Sequence, residues 1–193
     1  PARRGFRLSV VLVRHGETEW SASGQHTSRT DLPLTEQGQE RARRLADQLA
    51  GRPFAVVLCS PLRRARETAE LAGFGAQAEV CGDLHEWDYG DYEGLTTPQI
   101  HESNPSWRLW RDGCPGGESP EQVGERADAV LEIVRGADGD SLLFAHGHIL
   151  RVIAALWVGE PVEFGARLAL STGSVSTLGF ERETEVVAEW NRG

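Results

Sequence analysis

The run Leu8-Ser-Val-Val-Leu-Val13 is followed at once by polar Arg14-His15-Gly16. A β-branched stretch of that kind suits a strand covered on both faces, and such strands belong to parallel sheets layered between helices. Two further runs repeat the form. Phe54-Ala-Val-Val-Leu-Cys59 leads into Ser60, and Ser141-Leu-Leu-Phe-Ala145 leads into His146-Gly147-His148.

Helical patterns fill the intervals. Thr35 can cap a helix reaching about Ala50, with Ala42, Leu45, Ala46 and Leu49 on one face and Gly51 as its stop. Ser60-Pro61 is expected to open the next helix, Ser as cap and Pro in the first turn. Ser119-Pro-Glu-Gln122 is a capping box, and Val123, Ala127, Val130, Leu131 and Val134 mark the buried face beyond it. A largely apolar helix is expected from Ile149 to Val158. A short strand is expected near residues 78–80, and residues 96–117 read as an excursion over one end of the sheet. Ser174 to Phe180 and Glu185 to Trp190 read as an edge hairpin split by Glu181-Arg-Glu-Thr184. The alternation gives the α/β class: a three-layer sandwich, a mostly parallel central sheet with helices on both faces and an antiparallel edge. The expectation is one domain over residues 1–193 of the 193-residue chain.

Composition narrows the partners. Arginine supplies all 20 basic residues against 29 acidic ones, a net charge of −9. Such a surface repels nucleic acid and anionic membrane, so any phosphate recognition is local, made by a few placed Arg and His side chains. No apolar stretch approaches the ~20 residues of a membrane helix, and the run at 8–13 is too short for a signal-peptide core. Three cysteines at spacings that match no zinc or disulfide framework favour a reducing compartment. The expectation is a cytoplasmic protein, with the terminal hairpin as a surface for pairing into a homodimer.

In open parallel sheets, ligands collect at the carboxyl ends of the strands. Here those ends carry Arg14-His15, Ser60 to Arg66, and His146 to His148, with Glu86 on a further loop. If the strands are neighbours, two or more Arg, two His and a carboxylate converge, the inventory for phosphoryl transfer through a phosphohistidine. Arginine forks match phosphate oxygens. A neutral imidazole can attack phosphorus in line. A second histidine can steady the equatorial oxygens. A carboxyl group can protonate the leaving alkoxide and later activate water.

Leu12-Val-Arg-His-Gly-Glu-Thr18 with Trp20 resembles the signature of the histidine phosphatase superfamily, the phosphoglycerate mutase-like group. The resemblance continues, in order, through residues 30–38, Cys59-Ser-Pro-Leu-Arg-Arg-Ala-Arg-Glu-Thr-Ala69, Glu86-Trp-Asp-Tyr-Gly-Asp-Tyr-Glu-Gly94 and Ala145-His-Gly-His-Ile-Leu-Arg151. It implies that His15 is the phosphorylated nucleophile, that Arg14, Arg64 and His146 bind the transferring group, and that Glu86 is the proton donor. Arg64, directly before Ala65, is the family arginine rather than Arg63. The Gln25–Ser28 loop with Thr27 stands at the substrate loop, and Ser21 stands where the family has Asn. Ser21, Gln25, Thr27 and His148 are accordingly expected on the substrate side of the pocket.

Mutases of this group place a Lys after the Tyr-Gly-x-x-x-Gly segment and an Arg pair after a later Trp. This chain has Thr96-Thr97 and Trp110-Arg111-Asp112 there, so hydrolysis is favoured. The expected activity is a cofactor-independent, metal-independent phosphatase of small phosphomonoesters, similar to broad acid phosphatases. Phosphoglycerate mutase-type transfer and a narrow sugar bisphosphatase are the alternatives. Several nearby features have plainer readings. His148 caps the following helix or lines the pocket, without carboxylates at ligand spacing for a metal. Arg41, Arg43, Arg44, Arg63 and Arg66 are solvated helix faces. Trp87, Tyr89 and Tyr92 are core or pocket wall, and Asp138-Gly-Asp140 is a turn.

Overall fold

A computed structural model describes residues 8–193. Six strands form one sheet: β1 (Val10–Arg14), β2 (Val56–Cys59), β3 (Glu79–Val80), β4 (Ser141–Ala145), β5 (Val175–Glu181) and β6 (Thr184–Arg192). Their order is β3-β2-β4-β1-β5-β6. The pairs β3–β2, β2–β4 and β4–β1 are parallel, while β5 is antiparallel to both β1 and β6. Only β5 therefore runs against the rest, which is the expected mostly parallel sheet with an antiparallel edge.

The helices divide between the two faces as alternation along the strands requires. Val10 and Leu12, with Leu143 and Ala145, face α6 (Pro120–Arg135) and α7 (Gly147–Trp157). Val11 and Val13, with Leu142 and Phe144, face α2 (Glu36–Leu49) and α3 (Arg63–Leu71). All five apolar positions read as the inner face of α6 are buried, and its capping box at Ser119 forms. Thr35 caps α2 through the Gly38 amide. A short α1 (Glu19–Ser23), not anticipated, starts on a capping box between Thr18 and Ser21. The excursion holds α4 (Thr97–Ser103) and α5 (Leu109–Asp112).

Two expectations need correction. Ser60 does not cap α3, which starts at Arg63 with Leu62 at the cap and no side-chain bond there. The Ser60 hydroxyl lies 2.7 Å from Nε2 of buried His146 instead; a buried imidazole left unpaired costs more than an uncapped helix end. The helix after β4 starts at Gly147 rather than Ile149, because Glu86 satisfies its first amides from outside.

Register brings the strand ends level. Arg14 lies opposite Ala145 and Cys59 opposite Phe144. The ladders run one step further, with His15 N donating to Ala145 O (3.0 Å) and Ser60 N to Phe144 O (2.9 Å). The chain then leaves β1 through a backbone-to-backbone contact that only glycine allows. A Cβ on Gly16 would lie 2.5 Å from the Gly38 carbonyl oxygen, and one on Gly38 would lie 2.3 Å from that of Glu17. Gly16→Ala is expected to lose about 3 kcal/mol of stability, the upper range for overpacking, measured by urea unfolding. Two main chains must part to admit the methyl group.

Candidate active site

Above the ends of β1 and β4 lies a cleft of about 180 Å³, lined among others by Arg14, His15, Thr27, Glu86, Tyr89 and His148. The His15 Nδ1 lies 2.7 Å from the Gly16 carbonyl oxygen. A carbonyl only accepts, so Nδ1 carries the hydrogen and Nε2 of the neutral ring keeps its lone pair. Neutrality is enforced: burial, then the charges of Arg64 and Arg14, push the His15 pKa well below its usual value. The ring is thus presented as an uncharged nucleophile beside two guanidinium groups.

Arg14 extends from the end of β1, and its Nη1 donates to the Leu170 carbonyl. Its Nε is buried and has no partner among the described residues. Burial lowers the Arg14 pKa, with Glu86 opposing. Arg64, on the first turn of α3, is fully buried. It donates from Nε to His146 Nδ1 (3.2 Å), from Nη1 to Thr30 O (3.1 Å), and from Nη2 to Thr27 O and Ser28 O (3.1 Å each).

The His146 ring centroid lies 5.0 Å from that of His15. Its Nδ1 accepts from Arg64, so its Nε2 carries the hydrogen and donates to Ser60 Oγ. Burial first, then Arg64, lowers its pKa well below the usual value. Both ring nitrogens are thereby engaged with protein. His146 thus stands beside His15, fixed by Arg64 and Ser60.

Glu86 is buried and its carboxylate sits at the amino end of α7. It accepts from the amides of His148 (3.1 and 3.0 Å), Ile149 (3.0 Å) and its own neighbour Trp87 (3.0 Å). Burial works to raise the Glu86 pKa, but hydrogen bonding and charge at His148 outweigh it, and the group is held well below the usual carboxylate range. Three amide donors, two of them at a helix amino terminus, are enough to keep a carboxylate ionised. His146, not His148, occupies the cap position of α7. His148 lines the cleft, its Nδ1 2.6 Å from Tyr89 Oη and 3.7 Å from Glu86 Oε2.

The expected substrate-side residues divide. Thr27 lines the cleft, with its hydroxyl on Gln25 O. Ser21 and Gln25 also line it, but their polar groups are committed to the protein. The Ser21 hydroxyl closes the capping box with Thr18, and Gln25 bonds Gly94 O and Ser23 Oγ. Sequence reasoning assigned no role to His26 or Arg151, both of which reach the cleft. Arg151 lies inside a recognised motif, its guanidinium 4.7 Å from the Trp110 ring centroid and its Nε on Gly165 O. His26 packs on Tyr89, and burial lowers its pKa to about 4. Among the described residues no group of three or more His, Cys, Asp and Glu stands together as a metal site.

A stability prediction follows from these buried groups. The folded pKa values of His15, His146, His148 and His26 lie below the unfolded value, so the unfolded chain binds more protons as pH falls through about 6.5. Glu86, also depressed, adds to the loss below about 4.5. Tm should therefore decline from pH 7 to pH 5 and more steeply beyond, as scanning calorimetry would show.

The same chain matches the family model of the histidine phosphatase superfamily (branch 1) over residues 10–193. It is 46% identical over 190 residues to an acid phosphatase of Mycobacterium tuberculosis, covering 96% of this chain and 92% of that one. It is 37% identical over 185 residues to sedoheptulose 1,7-bisphosphatase of Saccharomyces cerevisiae, covering 79% and 68%. A solved structure of the Mycobacterium tuberculosis open reading frame Rv3214 superimposes with a TM-score of 0.91 at 42% identity, covering 96% of this chain and 97% of the other. From strand order to cleft to overall likeness, the chain is a phosphatase and belongs to branch 1 of the histidine phosphatase superfamily.

Proposed function

We propose that this phosphatase hydrolyses small phosphomonoesters through a covalent phosphohistidine on His15. The observation that carries the reading is the pairing of a free His15 Nε2 with a buried, unpartnered Arg14 Nε in one cleft. A buried charged donor without a partner is costly, and a phosphoryl oxygen would satisfy it. In the first step His15 Nε2 attacks phosphorus, the P–O(ester) bond breaks, and the leaving oxygen takes the proton that the substrate monoanion brings, passed on by the ionised Glu86 carboxylate. In the second, Glu86 takes a proton from water, whose oxygen attacks the phosphohistidine and releases phosphate and the neutral ring. Arg14 and Arg64 carry the charge of the transferring group, while Arg64 and Ser60 hold His146 beside it. Thr27, Tyr89 and His148 line the substrate side.

The reading fits a cofactor-free enzyme acting in the cytoplasm, where the free Cys59, Cys81 and Cys114 remain reduced. Among the described residues no helix is long and apolar enough to cross a membrane. The open edge of β6 is the surface on which two copies would pair, which sedimentation would test.

The deciding experiment mixes enzyme with a radiolabelled phosphomonoester and EDTA, then quenches within one turnover. Protein-bound label stable to alkali and labile to acid is expected. A burst of free phosphate with no labelled protein would remove the covalent step, and loss of turnover to EDTA would remove the metal-free one.

A further inference from the structure

Residues 27–30 form no helix or strand, yet their peptide groups are held from two directions. Arg64 takes the carbonyl oxygens of Thr27, Ser28 and Thr30, each at 3.1 Å. Glu93, in the segment after Trp87, takes the amides. The Ser28 N–H meets both of its oxygens at 2.9 Å, and the Thr30 N–H meets Oε1 at 3.0 Å. The Thr27 carbonyl and the Ser28 amide are two ends of one peptide unit. A guanidinium, one peptide and a carboxylate therefore lie in series, with the peptide dipole aligned between the charges.

We propose that Glu93 is a positioning residue for the reaction, fixing Arg64 through the Thr27–Ser28 peptide. Arg64 is fully buried and cannot lean on solvent to settle its orientation. Its Nη groups are oriented by the carbonyls that Glu93 immobilises, and its Nε sets His146, whose ring lies 5.0 Å from His15. Glu93 touches no residue that reacts, so its influence arrives through the loop. The exposed Arg29–Asp88 ion pair ties the same loop to the same segment, but an exposed pair adds little and gives a natural control.

This inference rests on the reading that Arg64 and His15 handle the phosphoryl group. Glu93→Gln keeps the size but removes the charge, and a carboxamide cannot present two acceptors to the Ser28 N–H. Well below the melting temperature, kcat is expected to fall about a hundredfold, as misplacement near 1 Å costs. Inhibition by orthovanadate, a mimic of the five-coordinate phosphoryl group, should weaken by a similar factor while KM moves little. Glu93→Asp, which keeps the charge, should recover part of both, and Arg29→Ala should leave both unchanged. A fold-only role predicts something else: a lower Tm, with kcat and vanadate inhibition of the folded protein as in wild type. That result, in Glu93→Gln or in Glu93→Asp should the amide not fold, overturns the proposal. Retained turnover in His15→Ala would defeat the phosphohistidine reading instead, whatever Glu93→Gln does.

Discussion

His15→Ala should reduce kcat for p-nitrophenyl phosphate on the order of a millionfold, as removal of a covalent nucleophile does. The protein should remain folded. The side chain makes one hydrogen bond, to the neighbouring Gly16 carbonyl, while the main chain at this position is held independently by Ala145 O and by the Gly173 amide at 2.9 Å. Its ring is uncharged, held so by burial and by Arg64 and Arg14, so its removal leaves no unpaired ion. Circular dichroism and Tm near wild type, with turnover lost, are the expected pair of results. A folded variant that still turns over would show that phosphorus goes elsewhere.

The second large effect concerns Glu86, and the structure changes what it means. A general acid is ordinarily raised toward the working pH, whereas here three backbone amides keep the carboxylate ionised. The proton for the leaving oxygen then enters with the substrate. A phosphomonoester has its second pKa near ~6, so a monoanion meeting Glu86 carboxylate is equivalent to a dianion meeting the acid. The two share one titrating proton. The sign is fixed by this inventory: kcat/KM should fall about tenfold per pH unit above ~6, following the ester's own pKa from one substrate to another. It should stay high on the acid side until His15 protonates, which lies well below the ordinary histidine range. Glu86→Gln cannot carry that proton. It should lose about 10²–10⁴-fold on alkyl phosphates, far less on p-nitrophenyl phosphate, whose leaving group departs unaided, and the pH dependence above 6 should flatten. Equal losses on both esters would strike Glu86 from the acid role. Acid therefore favours the chemistry while weakening the fold, since the buried histidines must charge in the unfolded direction.

Much of the sheet was legible because burial on both faces leaves a signature in residue type. Val10 to Val13 and Leu142 to Ala145 are apolar because helices cover them on either side. The convergence of His15, Arg14, Arg64, Glu86 and His146 was legible because strand ends and ordered motifs carry it. What escaped has no periodic signal. Ser60 looks like a helix cap, and only the tertiary position of His146 claims its hydroxyl. The low pKa of Glu86 depends on amides of α7 some sixty positions downstream in the chain. Ser21 and Gln25 lie where a substrate loop should be, but Thr18 in the same turn satisfies the one and Gly94, far along the chain, the other. Apart from that turn, these contacts are set by packing between segments, and neither composition nor spacing records them.

The tie between the cleft loop and residues 93–97 has an evolutionary consequence. His26 N donates to Leu95 O and Gly94 N to His26 O, and Gln25 bridges Thr96. Residues 24–30 and 93–97 are thus joined main chain to main chain, and through Thr27, Ser28 and Thr30 the pair reaches Arg64. Transplanting either stretch alone from a relative would sever that seam and loosen the hold on Arg64, whereas grafting both together would keep it.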